Sequence, residues 1–98
     1  MTIDEYAAWA GMIAKVSRPP TTERLSYLGL GLAAEAGEIA DHIKKLLRDS
    51  RLDEAAMIDE LGDVVYYWAC LCVAAGKMPS AVLEASKSKI ERKVAASN

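Results

Sequence analysis

Residues 61–75 read Leu-Gly-Asp-Val-Val-Tyr-Tyr-Trp-Ala-Cys-Leu-Cys-Val-Ala-Ala, which is apolar on nearly every side when it is drawn as a helix. The strongly apolar part, residues 64–75, is too short to cross a bilayer as a helix. A helix without a polar face needs cover on all sides, and a chain of 98 residues offers few partner helices. We therefore expect the remaining face to be buried in a homo-oligomer, either a homodimer or a dimer-of-dimers tetramer.

Capping residues and helix breakers divide the rest of the chain into four helices. The residues expected to begin them are Thr2, Thr22, Asp53 and Pro79, and those expected to end the first three are Ser17, Arg48 and Gly76. Leu83, Ile90 and Val94 form the apolar stripe of the fourth helix. No strand pattern, internal repeat or second domain is visible, so residues 1–98 are expected to form one all-α domain, a four-helix bundle.

Composition and charge exclude several classes of function. Twelve basic against fourteen acidic residues give a net charge of −2, so no basic field is present for a nucleic-acid backbone. Neither a membrane span nor a leader pattern near Met1 is apparent, so we expect no membrane partner and a cytoplasmic location. Cys70 and Cys72 point about 200° apart on a helix, so they are expected to be reduced packing residues.

Two pairs of acidic residues stand out against the apolar helices. Glu35 falls inside the apolar stripe of the second helix, and Glu38 lies on its flank. Glu60 and Asp63 repeat the same spacing on the third helix, which places both on one face. If the two helices pack antiparallel, the four carboxylates converge in one cleft, where they cannot all stay charged without cations or protons.

The ligand types indicate which cation such a cleft would take. All four are hard oxygen donors, with no cysteine or histidine at a matching position, so Mg²⁺ or Mn²⁺ fits and zinc does not. The single histidine, His42, follows Glu38 by four residues, which does not match the Glu-x-x-His motif of a di-iron bundle. The alternative, in which the acids form solvated helix faces, stays open from the pattern alone.

The segments that carry these acids resemble the MazG family of all-α nucleoside triphosphate pyrophosphohydrolases. Residues 35–41 read Glu-Ala-Gly-Glu-Ile-Ala-Asp and residues 59–64 read Asp-Glu-Leu-Gly-Asp-Val. They match the family's Glu-x-x-Glu on one helix and Glu-x-x-Asp on the next, and the similarity extends over most of the chain. One departure is Ala34, where many members carry a further glutamate.

The resemblance implies hydrolysis of an NTP or dNTP between the α and β phosphates, with release of the monophosphate and pyrophosphate. It implies that Glu35, Glu38, Glu60 and Asp63 hold two or three Mg²⁺ ions, for which Mn²⁺ can substitute. These ions would neutralise the triphosphate and activate a water. One of the carboxylates, for example Glu38, would orient that water as a base.

Substrate contacts are expected from basic and aromatic side chains on the neighbouring faces. The candidates for phosphate contact are Lys45, Lys89 and Lys93, and those for contact with the base or sugar are Tyr67 and Trp9. For Lys89 and Lys93 on the fourth helix, the alternative is that they only complement the helix dipole. The aromatic residues can equally be packing residues, and His42 is interpreted as structural. Ser86 replaces an asparagine that is common in the family, which puts an amide contact there in doubt.

Two other functions are compatible with the same residues. The first is a non-catalytic helical dimerisation module, in which the apolar third helix joins two copies and the acids are solvated. The second is a nucleotide-sensing domain that binds a nucleotide without cleaving it.

Overall fold

The computed structural model describes residues 1–97, which contain four helices and no strand. The helices are α1 (Ile3–Ile13), α2 (Thr22–Asp49), α3 (Glu54–Ala75) and α4 (Pro79–Ser97). The all-α prediction is therefore confirmed. Tyr27 of α2 lies against Tyr67 of α3, whereas His42 lies near Glu60, so the two long helices run antiparallel.

Local side-chain caps begin and end the helices as the sequence indicates. The Thr2 hydroxyl accepts the Glu5 backbone N–H at 3.0 Å, and the Glu5 carboxylate accepts the Thr2 N–H at 2.7 Å, a complete capping box. Asp53 accepts the Ala56 N–H at the start of α3. Gly76 ends that helix with φ +70°, a left-handed conformation that suits glycine.

Two predicted boundaries were wrong. α1 ends at Ile13 and not at Ser17, because Lys15 takes a left-handed conformation with φ 54° and the Val16 N–H turns back to the Gly11 carbonyl. No glycine marks this turn in the sequence. At the start of α2, the capping residue is Thr21 and not Thr22, since the Thr21 hydroxyl accepts the Arg24 N–H at 3.0 Å.

The centre of the molecule is α3, which packs against each of the other three helices. Small residues allow α1 to lie close to it, and a Cβ added at Gly11 would stand 3.0 Å from Val73. Cys70 and Cys72 are buried and reduced, as expected, and the Cys70 thiol donates to the Ala10 carbonyl at 3.6 Å. The buried core consists of Ala7, Ala10, Leu28, Ala69, Cys70 and Ala74.

The four predicted helices are all present, but α4 packs on the others only near its start. Asp4 of α1 accepts both the Ser80 N–H, at 2.8 Å, and the Ser80 hydroxyl, at 2.6 Å, and so fixes the start of α4. Beyond Val82, every described residue of α4 is exposed, including the stripe predicted to be core. Within residues 1–97, neither α1 nor α4 packs against α2.

The molecule is accordingly extended for its length. Its radius of gyration is 15.9 Å, whereas a compact domain of this length has a value of about 12.6 Å. None of the helices described over residues 1–97 combines the length and apolarity that a membrane crossing requires.

The close approach of α2 and α3 depends on a glycine in the middle of α2. A Cβ at Gly31 would overlap the Tyr67 ring, whereas a Cβ at Gly29 would meet open space. We expect Gly31→Ala to destabilise the protein by about 1–3 kcal/mol through overpacking. Gly29→Ala should stabilise it by about 0.5–1 kcal/mol because alanine favours the helix. Urea unfolding of both variants measures the contrast, and equal effects of the two would contradict this packing.

Candidate metal centre

Three carboxylates meet across the α2–α3 pair and form what we call the carboxylate cluster: Glu35, Glu60 and Asp63. One oxygen of each lies within 4.8 Å of one oxygen of each of the others. Glu60 and Asp63 are three residues apart and therefore share the face of α3 that is turned to Glu35. Glu35 and Glu60 are half-buried, and Asp63 is exposed to solvent. The cluster presents several oxygen donors to one small volume.

The charge of the cluster has no basic counterpart close by. Among residues 1–97, no lysine or arginine nitrogen lies within 4.0 Å of a cluster carboxylate. The pKa of Glu35 is raised, first by partial burial, then by a hydrogen bond with Glu60 and by the charges of Asp63, Glu60 and Glu38. Uncompensated carboxylate oxygens at this separation fit a hard divalent cation such as Mg²⁺ or Mn²⁺.

Glu38 does not belong to the cluster, so the expected convergence of four carboxylates is corrected to three. It lies three residues after Glu35, which turns it about 60° around α2 toward the exposed flank. Its charge still contributes to the raised pKa of Glu35, so it lies close enough to act electrostatically on the cluster. A helical wheel places Glu38 at the edge of the stripe but does not show which way that edge faces.

His42 lies beside the cluster, although the sequence analysis interpreted it as structural. Its Nε2 is 3.7 Å from Oε1 of Glu60, and 15% of its side-chain surface is exposed. A signal was present in the sequence: His42 follows Glu35 by seven residues and therefore lies on the same face of α2. It was missed because its proximity to Glu60 depends on how the two helices pack.

Aromatic rings form a continuous row beside the cluster. Tyr67 packs on Tyr27 at 6.3 Å and on Tyr66 at 5.6 Å between ring centroids. The pKa of Tyr67 is raised first by its hydrogen bond with Tyr27, then by partial burial and by the negative charge of Glu35. Tyr67 therefore lies close to the cluster, as expected. From α1 to α2 the rings of the row follow in the order Tyr6, Trp9, Tyr66, Tyr67 and Tyr27.

Two rings of this row, Trp9 and Tyr27, are open to solvent. Trp9 is half-exposed and lies between Tyr6 and Tyr66. Tyr27, which the sequence analysis did not single out, lines a surface cavity of about 400 Å³ with Thr21, Glu23 and Arg24. The Arg24 guanidinium lies 5.6 Å from the centroid of the Tyr27 ring.

The structure does not bring the three predicted phosphate-binding lysines to the cluster. Lys45 pairs with Asp41 at 3.1 Å, and this hydrogen bond is the main cause that lowers the pKa of Asp41. Lys89 and Lys93 line a groove that α4 forms alone. Both lysines lie away from the cluster because α4 leaves the body of the molecule after Val82.

Comparison with known proteins identifies the family of this chain. The model of the MazG nucleotide pyrophosphohydrolase domain matches residues 24–95. The chain belongs to the MazG nucleotide pyrophosphohydrolase family. The Gene 37 protein of Mycobacterium phage L5 is 38% identical over 74 residues, which are 70% of this chain and 65% of the phage protein. No solved structure matches.

The match to MazG confirms the resemblance that the sequence suggested. The matched residues include the carboxylate cluster, Glu38 and most of α4. They leave out α1, and with it Trp9 and Tyr6, so the far end of the aromatic row lies outside the matched domain. The match also extends over the exposed apolar stripe of α4.

Repulsion within the cluster predicts a pH-dependent effect of Glu35→Gln on the metal-free protein. The pKa of Glu35 is raised above 4.5 by burial and neighbouring carboxylates, so wild-type stability falls as the pH rises through that pKa. We expect Glu35→Gln to raise the unfolding temperature at pH 7 and to have little effect well below pH 4.5, where Glu35 is protonated in both the folded and the unfolded state. Calorimetry measures the unfolding temperature of both proteins at each pH.

Glu84→Gln is the matched control, because Glu84 is an exposed carboxylate of α4. It should leave the unfolding temperature unchanged at either pH. A lower unfolding temperature for Glu35→Gln at pH 7 would show that the carboxylates do not repel one another as described.

Proposed function

We propose that this MazG domain hydrolyses a nucleoside or deoxynucleoside triphosphate between the α and β phosphates. The products are the monophosphate and pyrophosphate, the reaction requires Mg²⁺, and Mn²⁺ substitutes for it. The carboxylate cluster is the observation that carries the proposal, because oxygen donors without a basic partner suit a cation that also binds phosphates. Membership of the family supports the reaction class.

Each carboxylate has a role in this proposal. Glu35, Glu60 and Asp63 would hold the divalent ions, which neutralise the triphosphate and activate water when they are bound. Glu38 would complete the ligand set from the flank of α2. As an exposed carboxylate next to the cluster, it is also the best placed to accept a proton from the attacking water.

The aromatic row would receive the nucleoside. Tyr67 adjoins the cluster, so its ring is within reach of the sugar or base when the phosphates lie at the carboxylates. Trp9 would offer a second exposed ring. Lys45 would reach a phosphate only by leaving Asp41, and Lys89 and Lys93 only if α4 moves or a second copy supplies them.

We also propose that the chain works as a homodimer or as a dimer-of-dimers tetramer. Its accessible surface is 7,001 Å², whereas a compact monomer of this mass exposes about 5,500 Å². Apolar residues of α4 contribute to this excess, since Leu83, Ile90 and Val94 are about half-exposed. A second copy packed on this stripe would cover it. A 10.6 kDa monomer in sedimentation velocity at high micromolar concentration would contradict this assembly.

The activity itself is tested by incubating the protein with each dNTP and NTP and measuring pyrophosphate release. We expect release with Mg²⁺ or Mn²⁺ and none when the ions are chelated. Glu60→Gln should lower kcat/KM by about 100-fold or more, because it removes one charged oxygen donor from the cluster. Asp59→Asn, which neutralises the neighbouring exposed carboxylate, should stay within about twofold of wild type.

The alternatives give different results in the same assay. A nucleotide-dependent rise in unfolding temperature without any product would indicate a sensing domain. The absence of both nucleotide binding and saturable Mn²⁺ binding would indicate a dimerisation module. Equal effects of Glu60→Gln and Asp59→Asn would contradict the role given to the cluster.

A further inference from the structure

One polar atom next to the carboxylate cluster lacks a partner. Nε2 of His42 is enclosed by the protein and makes no hydrogen bond within the described chain. Oε1 of Glu60 lies 3.7 Å away, on the neighbouring helix. This distance is less than 1 Å longer than the donor–acceptor distance of an ordinary hydrogen bond. Hydrogen bonds in active sites are often long before the ligand is bound.

The surroundings of His42 favour Glu60 as the acceptor for its Nε2. Because the atom is enclosed, solvent water does not reach it. The rest of the side chain borders a polar cavity of about 160 Å³, which is lined in addition by Lys45, Asp49, Arg51 and Asp53. Asp49 is already paired with Arg48 at 2.9 Å, and Asp53 caps α3. Oε1 of Glu60 is therefore the acceptor that fits Nε2, since it lies 3.7 Å away and belongs to the carboxylate cluster.

We propose that His42 is a positioning residue of the metal centre. Its Nε2–H donates to Oε1 of Glu60 and holds that carboxylate toward Glu35 and Asp63. Hydrogen bonds of this kind to metal ligands orient them, and their loss typically weakens metal binding by 10–100-fold. The inference rests on the proposed function, since it assumes that the carboxylate cluster binds a divalent ion.

The test is Mn²⁺ binding to the full chain without nucleotide, measured by isothermal titration calorimetry for wild type and three variants. His42→Leu removes the donor, and His42→Gln keeps an N–H donor on a side chain of similar reach. Lys44→Ala is the control, since it changes an exposed residue of the same helical turn that pairs with Asp41. His42→Leu should fold, because it replaces an enclosed atom that lacks a hydrogen bond with an apolar group.

We expect His42→Leu to weaken Mn²⁺ binding by about tenfold, with an unfolding temperature no lower than that of wild type. His42→Gln should bind within a few-fold of wild type, and Lys44→Ala should bind as wild type does. A residue that only packs would not show this separation of metal affinity from stability. If His42→Leu unfolds, His42→Met provides a second apolar variant of unbranched shape.

Two results would overturn the inference: wild-type Mn²⁺ affinity in the folded apolar variant, or no recovery in His42→Gln. Failure of the proposed function gives a different result, since wild type and Lys44→Ala would then also lack saturable Mn²⁺ binding. The two failures are therefore distinguishable in one set of titrations.

Discussion

Electrostatic repulsion among Glu35, Glu60 and Asp63 is the interaction around which the α2–α3 pair is arranged. Packing brings these carboxylates together although no described lysine or arginine pairs with them, and the pKa of Glu35 is raised first by partial burial and then by these neighbours. A fold selected for stability alone would place apolar or oppositely charged groups at this point. In the function that we propose, a bound cation would convert this repulsive contact into a stabilising one.

The same helix pair places the aromatic row next to the cluster. Gly31 lets the Tyr67 ring lie against α2, and Tyr67 in turn contacts Tyr27. One close helix contact thus fixes both the charged and the aromatic parts of the site. In the site that we propose, the carboxylates bind the phosphates through divalent ions and the aromatic rings contact the nucleoside. A single change at Gly31 would therefore disturb both parts.

Local sequence signals predicted much of this fold, because their physical causes are themselves local. The capping box of Thr2 and Glu5, the Asp53 cap and the Gly76 terminus each depend on residues within one helical turn. The spacing of the acidic pairs likewise fixed which carboxylates share a helix face. The sequence alone therefore identifies Glu35, Glu60 and Asp63 as candidates for one cluster.

What the sequence could not predict depends on contacts between distant residues. The direction of α4 is set at its start by Asp4 and Ser80, which are 76 positions apart, and no local pattern indicates this tether. The outward turn of Glu38 and the proximity of His42 to Glu60 both depend on the rotation of α2 against α3. A helical wheel gives neighbours on one helix but not the rotation of one helix against another.

The central claim is that the carboxylate cluster is a divalent metal site, and anomalous diffraction tests it most directly. Crystals of the chain with Mn²⁺ and a non-hydrolysable nucleotide would be measured at the manganese absorption edge. We predict an anomalous peak within coordination distance of oxygens from Glu35, Glu60 and Asp63, with the nucleotide phosphates beside it. A bound nucleotide with no such peak, or a manganese peak held by other residues, would contradict the claim.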